Sequence, residues 1–217
     1  VALGGDNHFT YVAHHCKNHK IIGCNSDVQT SFGALLSFNP QSLKETISKN
    51  WENTKLEYWS LIEVEIEYPE GQKISTVNAV SEISIRNSNP DLTSRYIVCH
   101  DDKKEEQKSS GLLLYTGAGS TGWYASCKNE EDGHSSFSKS ANFFRVYARE
   151  LSRKARMNFK LADFKVTDSC KIISEMNGGV SIDALPERVY PFPAGSIATI
   201  QLAKEKLKVI TYKKDAQ

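Results

Sequence analysis

The chain has 217 residues, of which 39% are hydrophobic and 24% are charged. This length suits one large domain or two small ones with a hydrophobic core. Its 27 basic and 26 acidic residues leave a formal charge of +1, which argues against nucleic acid or an anionic membrane surface as a partner. No apolar run approaches the ~20 residues that cross a bilayer. Five scattered cysteines without a C-x-x-C pair argue against a disulfide framework and a structural zinc site, and are typical of a reducing compartment.

The first 50 residues alternate between strand-like and helix-like patterns. Residues 1–3 read as the end of a buried strand, a helix is predicted over 9–18, a short strand over 21–24 and a second helix over 41–47. This alternation is typical of a parallel sheet with helical crossovers. Because a core strand stands at the very start and runs straight into a turn, we expect that an N-terminal portion precedes this chain.

The rest of the chain is dominated by strand patterns. Alternating polar and apolar residues predict half-buried strands over 62–68 and 77–85, joined by a turn at 69–72. Further strands are predicted over 96–99, 112–115, 171–174, 197–202 and 207–212. The charged segment 101–108 is predicted to be a solvated loop, and the apolar spacing over 142–156 predicts a helix.

The turn Gly4-Gly5-Asp6 lies between the first predicted strand and the first predicted helix. Two glycines allow the backbone to approach a phosphate, and the following helix N-terminus favours an anion. A carboxylate in the same turn can accept a hydroxyl proton during phosphoryl transfer. An ordinary turn with Asp as the helix N-cap explains the same residues, and the pattern alone favours that alternative.

A second Gly-rich segment, Thr116 to Trp123, leads from an apolar strand into a predicted helix. Its three glycines permit close approach of a nucleotide, and its hydroxyl groups can bind ribose or phosphate oxygens. The segment matches neither the P-loop nor the Rossmann glycine spacing, so a structural turn is an equal alternative.

Four other residues are weaker candidates. Glu82 lies on a predicted strand and suits a ribose diol, although an outward-facing glutamate is the commoner case. Asp183 is expected only to end a strand. His15 and His19 have the i, i+4 spacing of a metal pair, but they lack a carboxylate partner and are expected on a solvated helix face. No protein-bound metal is therefore predicted, and magnesium would come with ATP.

Taken in order, these segments resemble the NAD kinase family. The family signature is a Gly-Gly-Asp-Gly-Thr turn, an Asn-Glu pair on a strand and a loop of the Thr-Gly-Ser-Thr-Ala-Tyr kind. The matching segments are 1–9, 80–83 and 116–123, with further similarity over 22–25, 32–36 and 180–202. The form of the third segment is most similar to the divergent, mitochondrial-type branch.

The resemblance implies a partial N-terminal α/β (Rossmann-like) domain over 1–50, a dinucleotide-binding β-sandwich domain over 51–203, and a C-terminal strand and tail over 204–217. It implies that Asp6 takes the proton from the 2′-hydroxyl of the adenosine ribose of NAD, while ATP with Mg²⁺ supplies the phosphate that gives NADP. The residues that it assigns to nucleotide binding are Gly4, Gly5, Asn25, Glu82, Thr116, Ser120, Thr121 and Trp123. It also implies a homodimer in the cytoplasm, or in the mitochondrial matrix of a eukaryote, with nucleotide partners and neither nucleic acid nor membrane.

The sequence departs from the family pattern at three places. Asn7 and His8 replace the Gly-Thr after the aspartate, Ser81 replaces the Asn of the Asn-Glu pair, and Ser110 stands where an acidic residue is common. NAD kinase is the leading hypothesis. One alternative, favoured by Asn7 and His8, is a catalytically weak or inactive homologue that senses a dinucleotide. The other is a lipid kinase of the diacylglycerol type, which shares the Gly-Gly-Asp turn but not the segment 116–123.

Overall fold

The computed structural model describes residues 1–16, 18–128, 136–151 and 153–213. The α-helices within these ranges are α1 Asp6–Ala13, α2 Pro40–Ser48, α3 Trp123–Cys127 and α4 Arg153–Asn158. The strands are β1 Ala2–Gly4, β2 Lys20–Ile21, β3 Gly23–Asn25, β4 Thr54–Glu67, β5 Lys73–Ser75, β6 Glu82–Asn87, β7 Ser94–His100, β8 Lys103–Ser109, β9 Leu112–Tyr115, β10 Phe144–Ala148, β11 Asp163–Val166, β12 Ser169–Ser174, β13 Gly178–Ile182, β14 Val189–Phe192 and β15 Ile197–Tyr212. No helix in the described ranges is both long and apolar enough to span a membrane.

The N-terminal part is a small α/β unit. Strands β1 and β3 pair in parallel, and α1 follows β1 directly. Helix α1 begins three residues earlier than predicted and ends at Ala13, and its buried residues are Phe9, Thr10 and Ala13. Helix α2 agrees closely with its prediction. Asn39 Oδ1 accepts a hydrogen bond from the Ser42 amide, Ser42 Oγ accepts one from the Asn39 amide, and Pro40 is the first helical residue.

The larger part of the chain is a β-sandwich. One antiparallel sheet has the strand order β11-β10-β9-β6-β13-β14. The other has the order β5-β4-β15-β12-β7-β8, and β2 joins it by pairing in parallel with β15. Apolar residues of both sheets, such as Ile62 and Ile200 on one and Ile83 and Val146 on the other, form a single buried cluster. A layer of this kind between two facing sheets is the core of a sandwich. The predicted fold class, a partial α/β unit followed by a β-sandwich, is confirmed, while the boundaries at residues 50 and 203 stay predictions.

A second buried cluster joins the α/β unit to the sandwich. Phe9 of α1 packs on Trp59 of β4 with their ring centroids 5.5 Å apart, and Ala118 and Val80 belong to the same cluster. Burial of these side chains fixes α1 against the sandwich. The turn before α1 consequently lies beside the Gly-rich segment that follows β9.

The prediction of a solvated loop over 101–108 is wrong, because β8 occupies most of that segment. Strand β8 is at the edge of its sheet, and among the described residues its pairing partner is β7. Its inward positions include the polar residues Glu105, Gln107 and Ser109, so no apolar alternation marks the strand. Lysines on its outer positions are typical of an edge that avoids pairing with other chains.

The prediction of a helix over 142–156 is also wrong for most of its length. Strand β10 lies there, between β9 and β11, and helix α4 begins only at Arg153. Phe144 and Val146 point into the sandwich core, while Tyr147 packs on the outer face against Tyr124. Both faces of β10 are covered, so apolar residues occur on both faces and do not alternate with polar ones. The resulting pattern resembles the spacing of apolar residues in a helix. Residue 152 lies outside the described residues.

Smaller differences concern the extents of strands. The two late strands predicted over 197–202 and 207–212 are one strand, β15, with a bulge between Leu202 and Lys206. The predicted strand over 77–85 begins only at Glu82, and the hairpin partner of β4 is instead β5. Strands β5, β11 and β14 had not been predicted, whereas β13 agrees with the expectation that Asp183 ends a strand.

Candidate functional site

A cavity of about 250 Å³ lies where α1, β6 and the segment after β9 meet. Its lining includes Asp6, Glu82, Thr121, Trp123 and Asp183. We call it the carboxylate cavity, because three acidic side chains from distant parts of the sequence meet there. The Gly-Gly-Asp turn and the segment 116–123 therefore border one shared space.

The carboxylate of Asp6 is held in a fixed orientation. Oδ2 accepts a hydrogen bond from the Ala34 amide and Oδ1 accepts one from the Leu35 amide, each at 3.0 Å. Asp6 is not an N-cap, since Gly5 occupies that position and no side chain caps α1. Each carboxylate oxygen has acceptor capacity for a second donor, so Asp6 can also receive a ligand hydroxyl.

The two glycines of the turn differ in the space around them. A Cβ on Gly4 would lie 3.0 to 3.1 Å from side-chain atoms of His8, so His8 packs directly against this residue. A Cβ on Gly5 would meet only Ser31 Oγ, at 3.8 Å. The open approach to the turn is therefore at Gly5, while His8 covers Gly4.

Glu82 is buried, with 7% of its surface exposed, and does not face solvent. Ser81 Oγ donates a hydrogen bond to Glu82 Oε2 at 2.5 Å. The pKa of Glu82 is raised to about 7, mainly by burial of the carboxyl group and secondly by the nearby negative charge of Asp183. Glu82 can therefore accept or release a proton near neutral pH inside the cavity.

Asp183 is the residue whose importance the sequence did not reveal. It is 2% exposed, and its carboxylate accepts hydrogen bonds from the backbone amides of Val80, Ser81 and Glu82 at 2.7 to 3.0 Å. His14 Nε2 lies 2.7 Å from Asp183 Oδ2. The positive φ angles of Asp183 and Ala184, 51° and 53°, turn the chain so that this carboxylate points at the start of β6. The only local sequence signal is its place directly after a strand.

The other histidines behave differently from His14. His15 and His19 are exposed as predicted, but α1 ends at Ala13, so their spacing does not place them on one helix. Among the described residues, no group of three or more His, Cys, Asp or Glu side chains is arranged to hold a metal ion.

The segment after β9 needs glycine at two positions for steric reasons. A Cβ on Gly117 would lie 2.1 Å from the carbonyl oxygen of Ser138, and one on Gly119 would lie 2.2 Å from that of Ser81. Real Cβ atoms do not approach backbone this closely. The glycines therefore let the segment pack tightly against β6 and against residues 138–139.

Hydroxyl groups complete the folding of this segment. Thr116 Oγ1 donates to the Val80 carbonyl at 2.6 Å and accepts from the Ala118 amide at 3.1 Å. Ser120 Oγ donates to the Gly117 carbonyl at 2.7 Å. Thr116 and Ser120 thus hold the loop in place, whereas Thr121 and Trp123 line the cavity.

Asn25, also predicted to bind nucleotide, does not line the cavity. Its Nδ2 donates to the Ser31 carbonyl at 2.9 Å and its Oδ1 accepts from the Asp27 amide at 3.0 Å. Gly33, with φ of 61°, packs closely on the Asn25 side chain. Asn25 therefore organises the loop that delivers the Ala34 and Leu35 amides to Asp6.

A larger cleft of about 1030 Å³ adjoins the carboxylate cavity and shares Thr121 with it. We call it the lysine cleft, after its lining residues Lys55, Lys139 and Lys206. Lys139 Nζ donates to the Ala34 carbonyl at 2.8 Å, and the amide of Ala34 binds Asp6. Glu57 also lines the cleft and pairs with Lys55, so Lys139 and Lys206 supply its excess positive charge. A cleft of this charge beside an acidic cavity suits a ligand with a hydroxyl-bearing sugar and phosphates.

The fold and this arrangement define the class of protein: a β-sandwich with an attached α/β unit and a cavity lined by carboxylates between them. Comparison with solved structures identifies the fold as that of NAD kinases. The NADH kinase of yeast, solved in complex with NADH, superimposes with a TM-score of 0.78 at 15% identity over 98% of this chain and 61% of that one. An NAD kinase from Archaeoglobus fulgidus, solved in complex with ATP, gives a TM-score of 0.71 at 19% identity over 98% of this chain and 76% of that one.

The resemblance to NAD kinases inferred from sequence is thus confirmed at the level of the fold. No model of a known protein family matches the sequence, and no curated protein matches it. The chain spans less than two thirds of the length of the yeast enzyme.

Proposed function

We propose that this chain acts as an NAD kinase, transferring the γ-phosphate of ATP to the 2′-hydroxyl of the adenosine ribose of NAD to give NADP. The observation that carries the proposal is the shared cavity of Asp6, Glu82 and the segment 118–123. The similarity in fold to one structure in complex with NADH and another in complex with ATP supports the same assignment.

In the proposed step, the 2′-hydroxyl proton passes to the Asp6 carboxylate while the ribose oxygen bonds to the γ-phosphorus. The bond from the γ-phosphorus to the bridging oxygen breaks, and ADP leaves. The Ala34 and Leu35 amides orient the carboxylate without exhausting its acceptor capacity. Asp6 is thereby positioned as a general base.

Other residues of the cavity have binding roles in this proposal. Glu82 accepts a hydrogen bond from a ribose hydroxyl, and Thr121 and Trp123 contact the dinucleotide. The cavity is too small for a whole dinucleotide, so the ligand continues past Thr121 into the lysine cleft, where the cations meet its phosphates. The backbone at Gly5 is open to a phosphate.

Magnesium fits the proposal as part of the phosphate donor. Both Asp6 oxygens already accept amide hydrogen bonds, and the described residues form no three-ligand metal group. The ion would therefore be held mainly by the phosphates of ATP, where it neutralises the developing charge. We further propose a homodimer in the cytoplasm, or in the mitochondrial matrix of a eukaryote.

A dinucleotide sensor without catalysis is the second candidate function. The observation that favours it is the packing of His8 on Gly4, where the family pattern has a small Gly-Thr pair. In this case the carboxylate cavity binds NAD, but the side chain of His8 keeps the donor phosphate away from the turn.

The test is incubation of the protein with ATP, Mg²⁺ and NAD, with NADP detected by an NADP-specific cycling assay. We expect NADP from the parent protein and a loss of about 100-fold or more in Asp6→Asn. Asp102→Asn is the matched control, since Asp102 is exposed in the turn between β7 and β8. Because Asp6 also anchors the loop that contains Ala34 and Leu35, thermal unfolding of each variant is measured alongside.

Each other outcome has a definite meaning. Equal NADP from Asp6→Asn would remove the base assignment. Saturable NAD binding without NADP would select the sensor. Phosphorylation of diacylglycerol in a parallel reaction would replace both by a lipid kinase.

A further inference from the structure

Trp123 connects the carboxylate cavity to a second, separate cavity. The indole lines the carboxylate cavity, and the guanidinium carbon of Arg149 lies 4.7 Å from the centre of its ring. Arg149 in turn lines a cavity of about 230 Å³ together with Arg86, Ser110 and Glu150. We call it the arginine cavity. A change in the charge or position of Arg149 therefore acts on Trp123, which lines the proposed dinucleotide site.

Arg149 is a buried cation, with only 8% of its surface exposed. Its Nη2 donates to the Ser110 carbonyl, and its Nε is buried without a hydrogen-bond partner. Within the described part of the chain, it has no carboxylate ion pair. Burial is the main cause that lowers the pKa of Arg149, which means that its charge is incompletely compensated.

A second arginine, Arg86, lines the same cavity and adds to this excess of positive charge. Repulsion from Arg86 acts in the same direction as burial on the pKa of Arg149. The one lining carboxylate, Glu150, accepts a hydrogen bond from Ser110 Oγ. Two arginines against one glutamate leave the lining with a net positive charge.

The backbone at Gly111 makes room for both arginines. Gly111 has φ of 115°, and a Cβ there would lie 2.9 Å from Arg86 Cβ and 3.2 Å from Arg149 Nη2. The nearest atom to such a Cβ would be the Ile85 carbonyl oxygen at 2.6 Å, so any other residue would be strained and would overlap with the backbone of β6. The packing of Arg86 and Arg149 around this position thus depends on glycine.

We propose that the arginine cavity binds a small phosphate-bearing anion between Arg86 and Arg149, and that its binding alters the carboxylate cavity through Trp123. Guanidinium groups bind phosphate oxygens in a bidentate manner, which makes phosphate the anion that best matches two adjacent arginines. An anion in contact with Arg149 weakens the attraction of its charge for the indole ring. The indole then becomes freer to move in the wall of the dinucleotide site.

The test is titration with inorganic phosphate and, separately, pyrophosphate at constant ionic strength, followed by tryptophan fluorescence and by calorimetry. We expect a saturable fluorescence change in the parent protein, and binding at least tenfold weaker in Arg86→Gln. Arg86 is exposed, so this variant should fold normally. In Trp123→Phe the calorimetric binding should remain while the fluorescence change disappears.

Two control variants separate this site from others. Arg95→Gln removes another exposed arginine and should bind as the parent does. Lys206→Gln tests the lysine cleft. Unchanged binding in Arg86→Gln, or binding lost only in Lys206→Gln, would overturn the proposal. None of these measurements uses NADP formation, so they are independent of the outcome for the kinase reaction.

Discussion

His14 Nε2 lies 2.7 Å from Asp183 Oδ2, although the two residues are 169 positions apart. Both side chains are buried, at 1% and 0% exposure. Asp183 also accepts hydrogen bonds from the amides of Val80, Ser81 and Glu82. One carboxylate therefore links the end of α1 to the start of β6. This link holds the helix that begins with Asp6 against the strand that begins with Glu82.

The first prediction concerns the stability of this link. His14→Ala should lower the free energy of unfolding by about 2 kcal/mol, because it removes a buried hydrogen bond to a carboxylate. Asp183→Ala should cost about 4 kcal/mol or more, since it leaves three backbone amides without their acceptor. Urea denaturation gives both values. His15→Ala, at an exposed neighbour, is the control and should change stability by less than about 0.5 kcal/mol. Equal effects of the His14 and His15 variants would contradict this account.

A second prediction concerns the tight packing after β9. Gly117→Ala and Gly119→Ala should each destabilise the protein by about 2 kcal/mol or more, because the new methyl groups would overlap with backbone carbonyls of Ser138 and Ser81. Gly179→Ala is the matched control, since its Cβ would have only an ordinary 3.4 Å contact with Val189. Thermal unfolding of the three variants is the measurement. Equal melting temperatures for all three variants would mean that the segment can shift to accommodate the added methyl groups.

The third prediction separates folding from ligand approach at the Gly-Gly-Asp turn. Gly5→Ala should leave stability nearly unchanged, because the new Cβ would meet only Ser31 Oγ at 3.8 Å and the φ angle of −94° suits alanine. The methyl group should nevertheless obstruct a phosphate at this turn. We expect KM for ATP to rise about tenfold or kcat to fall similarly. Unaltered kinetics in a correctly folded Gly5→Ala would show that no phosphate approaches the turn.

The fourth prediction is a pH dependence of stability caused by Glu82. Its pKa in the folded protein is about 7, above its ordinary value of 4.5, so the folded state keeps a proton that the unfolded chain has released between these values. The contribution of Glu82 to stability is therefore fully present below pH 4.5, falls as pH rises towards about 7, and is constant above that. The total change is about 3 kcal/mol.

Glu82→Gln provides the comparison, because glutamine has no proton to lose. The difference in free energy of unfolding between the parent and Glu82→Gln should shift steadily across this interval, as measured by urea denaturation between about pH 5 and 8. A difference that does not vary with pH would mean that Glu82 is already ionised in the folded protein at pH 5.

The sequence by itself determined the fold family and the two segments that border the site. The Gly-Gly-Asp turn and the segment 116–123 are local features, since glycines, hydroxyl residues and a flanking apolar strand are visible in the order of residues. Helix α2 was equally predictable, because its cap is formed by the adjacent residues Asn39 and Ser42.

Only the tertiary structure decided which side chains face the cavity and which support it. Thr116, Ser120 and Asn25 have the same chemistry as cavity-lining groups, but their side chains hydrogen-bond to backbone groups that hold the loops in place. Asp183 looked like an ordinary strand end, and β10 looked like a helix. In each case the contacts that determine the structure are made with residues far away in the sequence. Asp183 binds His14 and the amides at the start of β6, and β10 is covered on both faces by residues from other elements. Contacts of this kind depend on how the two sheets and α1 pack together, and local periodicity carries no information about them.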